Sequence, residues 1–189
     1  MVKWVLGRFW GKMVTVTDKA TDRVRRNNGY LVFTATVIVV AAAVDQLSKA
    51  LVLAGMEPGE VVPLIGDWVR FHLVFNPGAA FSFGTSITWV FTAIQLIFVV
   101  GILWHSPRVD GRLAALGLAL VGGGAAGNLT DRLFREPGFF VGHVVDFISV
   151  GDFAVFNVAD SCITVGVAVF LLSALLDARA ESRDTEVSA

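Results

Sequence analysis

Residues 122–160 open as GGGAAGNLTDR (122–132), pass through HVVDFI (143–148) and close as FNVAD (156–160). Three aspartates, Asp131, Asp146 and Asp160, stand in this otherwise strongly apolar segment, with Asn128 and Asn157 close by in sequence. A carboxylate in such surroundings is costly unless it is paired or used. Three grouped carboxylates therefore ask for a role. A fourth, Asp152, follows Gly151 and reads as a turn residue.

The composition around this stretch is that of a membrane protein. Of the 189 residues 55% are hydrophobic and 16% charged, and the mean hydropathy is +0.70. A soluble domain carries roughly a quarter of its residues as charges. The net charge of -1 gives no reason to expect nucleic acid as a partner. Cys162 is the one cysteine, which excludes an internal disulfide framework.

Four apolar stretches come close to the ~20 residues that a bilayer helix needs. They run from Tyr30 to about Leu53, from Ile87 to Trp104, from Leu113 to about Asn128, and from about Val155 to Leu176. Residues 1–29 precede them as a basic segment, and 178–189 follow as a tail. Val2, Val5, Leu6, Phe9 and Met13 recur at helical spacing among the basic residues. That pattern fits an amphipathic helix on the membrane surface, and the composition equally fits a disordered basic tail. A cleaved signal peptide is disfavoured, because apolar character resumes at Ala50 and the basic flank is long. Four spans put both termini on one side. Eleven of the fifteen lysines and arginines lie in the N-terminal segment, the 105–112 loop and the tail. The positive-inside rule then makes the termini cytoplasmic.

The two remaining loops carry strand signals. Val61-Val62-Pro63-Leu64, then Ile65-Gly66-Asp67, then an alternating run from Trp68 to Phe75 predict a hairpin. Val69, Phe71, Leu73 and Phe75 are expected on one face of it. A second Gly-Asp pair, Gly151-Asp152, separates Val145–Val150 from Phe153–Phe156. A small extracytoplasmic sheet beside the helix ends is expected.

The topology brings the unusual polar residues to one depth. Asp45 and Lys49 close the first span, and Asn76-Pro77-Gly78-Ala79 precedes the second. Asn128, Asp131 and Arg132 close the third, and Asn157 and Asp160 open the fourth. Asp45 and Lys49, four apart, suit an intrahelical ion pair. Gly123 and Gly127 suit close helix packing. Asn76-Pro77-Gly78 reads first as a turn. Asp131, followed by Arg132, suggests a local charge pair.

Asp146 and Asp160 differ in surroundings. Asp146 has Val144, Val145, Phe147 and Ile148 around it, so desolvation should raise its pKa. Asn157 and Asp160 fit an N-cap and first-turn arrangement, where the helix terminus favours a charged carboxylate. One acid that prefers to be neutral beside one that prefers charge is the arrangement of aspartic proteases, in which a shared water attacks a carbonyl. A metal site built on the aspartates and His143 matches no ligand spacing. Serine or cysteine catalysis lacks a motif: no G-x-S-x-G occurs. A small transporter or proton-relay subunit remains the rival from another class, since buried carboxylates also mark ion paths. It would spread acids through the bilayer depth, and spans two and three have none in their interiors. A purely structural packing protein leaves the grouped acids without a role.

The chain resembles the bacterial signal peptidase II (lipoprotein signal peptidase) family. Five motifs carry the resemblance: DQLSK (45–49), FNPGAAFS (75–82), GGGAAGNLTDR (122–132), HVVDFI (143–148) and FNVADSCI (156–163). It spans roughly Val40 to Leu176 and leaves out the N-terminal segment. It implies an all-α polytopic membrane aspartic endopeptidase that removes signal peptides from diacylglyceryl-modified prolipoproteins, before the lipidated cysteine. The catalytic pair falls on Asp146 and Asp160. Substrate-binding or site-ordering residues fall on Asp45, Lys49, Asn76, Gly78, Asn128, Asp131, Arg132 and Asn157. The resemblance implies no metal or organic cofactor, membrane lipid as surroundings, and globomycin-type cyclic peptides as inhibitors.

Overall fold

A computed structural model describes the backbone of residues 2–78 and 87–187 and the side chains of 28–78 and 87–183. Helix α1 is Val2–Gly55, α2 is Thr88–His105, α3 is Arg112–Phe134 and α4 is Val158–Val187; strands β1, β2 and β3 are Val61–Ile65, Val69–Asn76 and Val144–Val150. Among the described residues four helical stretches are long and apolar enough to cross a membrane: Asn28–Gly55, Thr88–Arg108, Arg112–Phe134 and Val158–Arg183. The protein is thus mostly helical, with four membrane-spanning helices and a small sheet at one end. The backbone of residues 2–29 is helical and continuous with the first span. The faces that Val2 to Met13 present, and Ala79 to Ser82 of the second motif, lie outside the described residues.

Helix α3 is the centre of the bundle and packs against α1, α2 and α4. Lipid is as apolar as a leucine side chain, so close approach rather than hydrophobic expulsion must hold membrane helices together. The small residues of α3 allow that approach. A Cβ on Gly124 would collide with the Ala159 carbonyl and the Ile163 side chain of α4. Gly117 and Gly166 face each other across the same interface, where a Cβ on Gly117 would meet the Gly166 oxygen at 2.9 Å. On the other flank, a Cβ on Gly123 would meet Ala41 of α1 at 2.6 Å.

The sheet is antiparallel in the order β1-β2-β3. Gly66, at φ 52, makes the β1–β2 turn possible. Leu73, Val145 and Phe147 form a buried cluster against Val52, Leu53 and Met56 at the end of α1 and Val158 at the start of α4. Each such side chain contributes roughly 1.5–3 kcal/mol by its burial, and the cluster seats the sheet on the helix ends. Alternation along β3 turns Asp146 away from Val145 and Phe147.

Two strand expectations need amendment. The β2–β3 register slips between Phe71 and Val74, where β2 holds one extra residue. The slip ends the alternation expected from Val69 to Phe75: Phe71 pairs with Ile148 and Phe75 with Val145, which lie on opposite faces of β3. Phe153–Phe156 forms no strand either. It meets β3 by a single bridge, Phe156 to Ile148, because the chain must leave the sheet at Asn157 to start α4. Helix α3 also runs to Phe134, beyond the glycine-rich stretch that suggested an end near Asn128.

Candidate active site

The nine polar residues and Gly78 singled out in the sequence converge at the sheet end of the bundle, and they form two layers. The inner layer holds Asp45, Lys49, Asp131 and Asn157, each 0% exposed. Lys49 Nζ lies 2.8 Å from both Asp45 Oδ2 and Asp131 Oδ2. It also donates to Asn128 Oδ1 at 2.9 Å. The intrahelical pair expected at 45 and 49 is therefore part of a larger cluster that ties α1 to α3.

Each acid of that cluster also holds a backbone segment. Asp45 Oδ1 accepts from the Ala159 amide at 2.9 Å, which fixes the N-terminus of α4 on α1. A Cβ on Gly127 would lie 2.6 Å from Asp45 Oδ2, so the carboxylate fits there only against glycine. Asp131 Oδ2 accepts from the Val145 amide at 3.1 Å, which fixes β3 on α3. Asp131 does not pair with its neighbour Arg132. Its partners are Lys49 and Arg135, because residues one apart point about 100° apart around a helix while residues four apart share a face.

The outer layer faces a cleft of about 470 Å3. Asn76, Gly78, Asn128, Arg132, Asp146 and Asp160 all line it. Every carboxylate oxygen of the two aspartates accepts an N–H. Asp146 Oδ1 accepts from Asn157 Nδ2 at 2.6 Å, and Oδ2 from Asn76 Nδ2 at 2.8 Å. Asp160 Oδ1 accepts from Asn128 Nδ2 at 2.9 Å, and Oδ2 from the Asn157 amide at 3.1 Å. The Asp160 amide returns a hydrogen bond to Asn157 Oδ1 at 2.9 Å. Asn157 and Asp160 thus form the reciprocal cap that their spacing suggested.

The asparagine orientations are fixed by partners that can only donate. The Lys49 ammonium demands the Asn128 oxygen, so the Asn128 NH2 must face Asp160. The Gly78 amide demands Asn76 Oδ1 at 2.7 Å, so the Asn76 NH2 must face Asp146. The turn expected at Asn76-Pro77-Gly78 therefore exists and also orients an acid. Gly78 sits at φ 96, and a Cβ there would lie 2.6 Å from the Phe91 ring. Arg132 is turned to the Pro77 and Gly142 carbonyls at 3.4 and 3.3 Å, with its guanidinium carbon 5.7 Å from the Phe91 ring centre.

Burial raises the Asp146 pKa from the usual 3.8 to about 6, against the Asn76 hydrogen bond, which lowers it; the charge of Asp160 adds to the rise. That is the direction expected from its apolar neighbours. Among the described residues no group of three or more His, Cys, Asp or Glu side chains is placed to hold a metal ion.

Two inner-layer residues were not singled out in the sequence. Gln46 donates to the Gly127 carbonyl and to Asp131 Oδ1, both at 3.0 Å. Arg135 completes the partners of Asp131. A polar amide in an apolar span, and a base four residues after an acid, were the available signals.

A family model described as signal peptidase (SPase) II matches residues 37–176. The chain belongs to the signal peptidase II family. A lipoprotein signal peptidase of Leifsonia xyli subsp. xyli is 40% identical over 84% of this chain and 74% of its own. One of Rhodococcus jostii is 50% identical over 72% of this chain and 69% of its own. A solved structure described as a bacterial membrane enzyme superposes with a TM-score of 0.67 at 26% identity, over 77% of this chain and 89% of that one. The N-terminal residues 1–36 lie outside the family match, in line with the extent of the resemblance drawn from the five motifs. Membership makes the chain a membrane-embedded signal peptidase of lipoprotein processing.

Proposed function

We propose that the chain is an aspartic endopeptidase in which Asp146 and Asp160 share a water and a proton. The observation that carries the reading is their common cleft. Both acids line it, and each is oriented by N–H donors on both oxygens. The ammonium of the inner layer is engaged by Asp45 and Asp131 instead. Among the described residues no ion pair ties up either acid, although the Arg132 guanidinium shares their cleft.

In this mechanism Asp160 accepts a proton from the water as its oxygen attacks the scissile carbonyl. Asp146, made a weaker acid by burial, donates a proton to the carbonyl oxygen. The tetrahedral intermediate then collapses: Asp160 gives the proton taken from the water to the leaving amine, and Asp146 recovers a proton from a hydroxyl of the intermediate as the product carboxyl forms. No cofactor enters the balance. The inner layer keeps α1, α3, α4 and β3 in register, so the carboxylates do not have to move.

The substrate is a diacylglyceryl-modified prolipoprotein, cut before the lipidated cysteine. Its signal helix and acyl chains are apolar, so it reaches the cleft sideways from the lipid. The charge bias of the loops supports cytoplasmic termini and a sheet end on the far side of the cell membrane. Purified enzyme in detergent is expected to cleave a synthetic diacylated prolipoprotein and to be blocked by globomycin. Absence of cleavage, or cleavage indifferent to globomycin, would overturn the assignment.

A further inference from the structure

Helix α2 carries a polar stripe on an otherwise apolar span. Thr88, Thr92 and Gln95 recur at helical spacing, while Ile94, Leu96, Ile97 and Phe98 beside them are exposed on the membrane side. Both threonines donate to backbone carbonyls, and Thr88 thereby holds Pro77, which lines the cleft. Thr88 Oγ1 donates to the Pro77 carbonyl at 2.7 Å, and Thr92 Oγ1 donates to the Phe140 carbonyl at 2.8 Å. Gln95 continues the stripe one turn deeper and lines the same cleft as Asp146 and Asp160. Its Oε1 is buried and has no hydrogen-bond partner among the described residues. Removing an amide oxygen from water without a partner is unfavourable, most of all at membrane depth. A leucine there would pack in the same space without that penalty.

We propose that Gln95 binds the signal-peptide side of the substrate, accepting a backbone N–H from one of the residues just before the scissile bond. This rests on the protease reading and deepens it. The position decides which half of the substrate is bound. Gln95 lies seven residues into α2 from its sheet end, about 10 Å along the axis, so it faces the part of the substrate still within the membrane. A peptide N–H is the group such an acceptor selects: the signal peptide is apolar in its side chains and offers its backbone as the regular donor. A main-chain contact also holds substrates together whatever their sequence, as an enzyme with many substrates requires.

The test replaces, one at a time, the three residues before the scissile bond by the matching hydroxy acids. Each replacement turns an amide into an ester and removes one N–H. Wild type and Gln95→Leu are compared on the all-amide substrate and on the three esters. On the all-amide substrate, Gln95→Leu is expected to lose about five- to tenfold in kcat/KM, the worth of one neutral hydrogen bond, mainly through KM. On one ester, wild type and variant are expected to perform alike. Equal performance on the all-amide substrate, or the same deficit on all three esters, would overturn the proposal while leaving the protease reading intact. A wild type that cleaves none of the four would remove both.

Discussion

Asp146 is buried in β3 with two amide donors on its carboxylate, and burial outweighs them. The resulting shift, from 3.8 to about 6, corresponds to about 3 kcal/mol in favour of the neutral form. A raised acid binds its proton more tightly in the folded state. Between the two values the folded protein therefore holds more protons than the unfolded one, and this group's contribution to stability declines as pH rises towards 6. Infrared difference spectra of detergent-solubilised protein are expected to show a protonated carboxyl band that fades as pH rises through about 6, and that is absent from Asp146→Asn. A band that titrates near 4 would contradict the burial argument. Lys49 makes a sharper case for stability. Lys49→Met would leave Asp45 and Asp131 buried without the ammonium between them, at a cost of about 3–5 kcal/mol. Thermal unfolding in detergent is expected to show a large drop, and an unchanged midpoint would mean the cluster stabilises little. At this scale the sequence was readable wherever partners are local. The Asp45–Lys49 pair and the Asn157–Asp160 cap follow from spacing alone. The contacts of Lys49 with Asp131 and Asn128 do not, because 79 or more residues separate the partners and only the fold supplies their distance.

The four spans were legible from hydropathy, and the first hairpin from alternation about Gly66-Asp67. Their edges were less so. Small residues at 122–127 weaken hydropathy, which suggested an early end to α3, yet they are the residues that let α3 sit inside the bundle. Gly124 tests this reading. Gly124→Leu places a side chain against the Ala159 carbonyl and Ile163, and is expected to lower the unfolding temperature and separate α3 from α4. Gly101→Ala on α2, where a Cβ meets nothing within 4 Å, is expected to be neutral or slightly stabilising from helix propensity. Equal effects at the two positions would show that packing against α4 is not what requires glycine. The 153–156 segment was misread because its residues favour strands. Its geometry is set instead by Asn157, which must open α4.

Across the whole molecule, the helices, the sheet and the polar layers share one purpose: two acids from different elements are held over one cleft. Asp146 comes from the sheet and Asp160 from a helix start, and the inner layer ties both to α1 and α3. This division explains why an acid such as Asp45, as buried as any, serves structure. It spends its oxygens on Lys49 and the Ala159 amide, away from the cleft. The most direct measurement is cleavage of a diacylated prolipoprotein by purified wild type, Asp146→Asn and Asp160→Asn, each checked for insertion and thermal stability. Both variants are expected to insert and fold, with turnover reduced by a factor of about a hundred to ten thousand. Near-normal turnover in either folded variant would contradict the account.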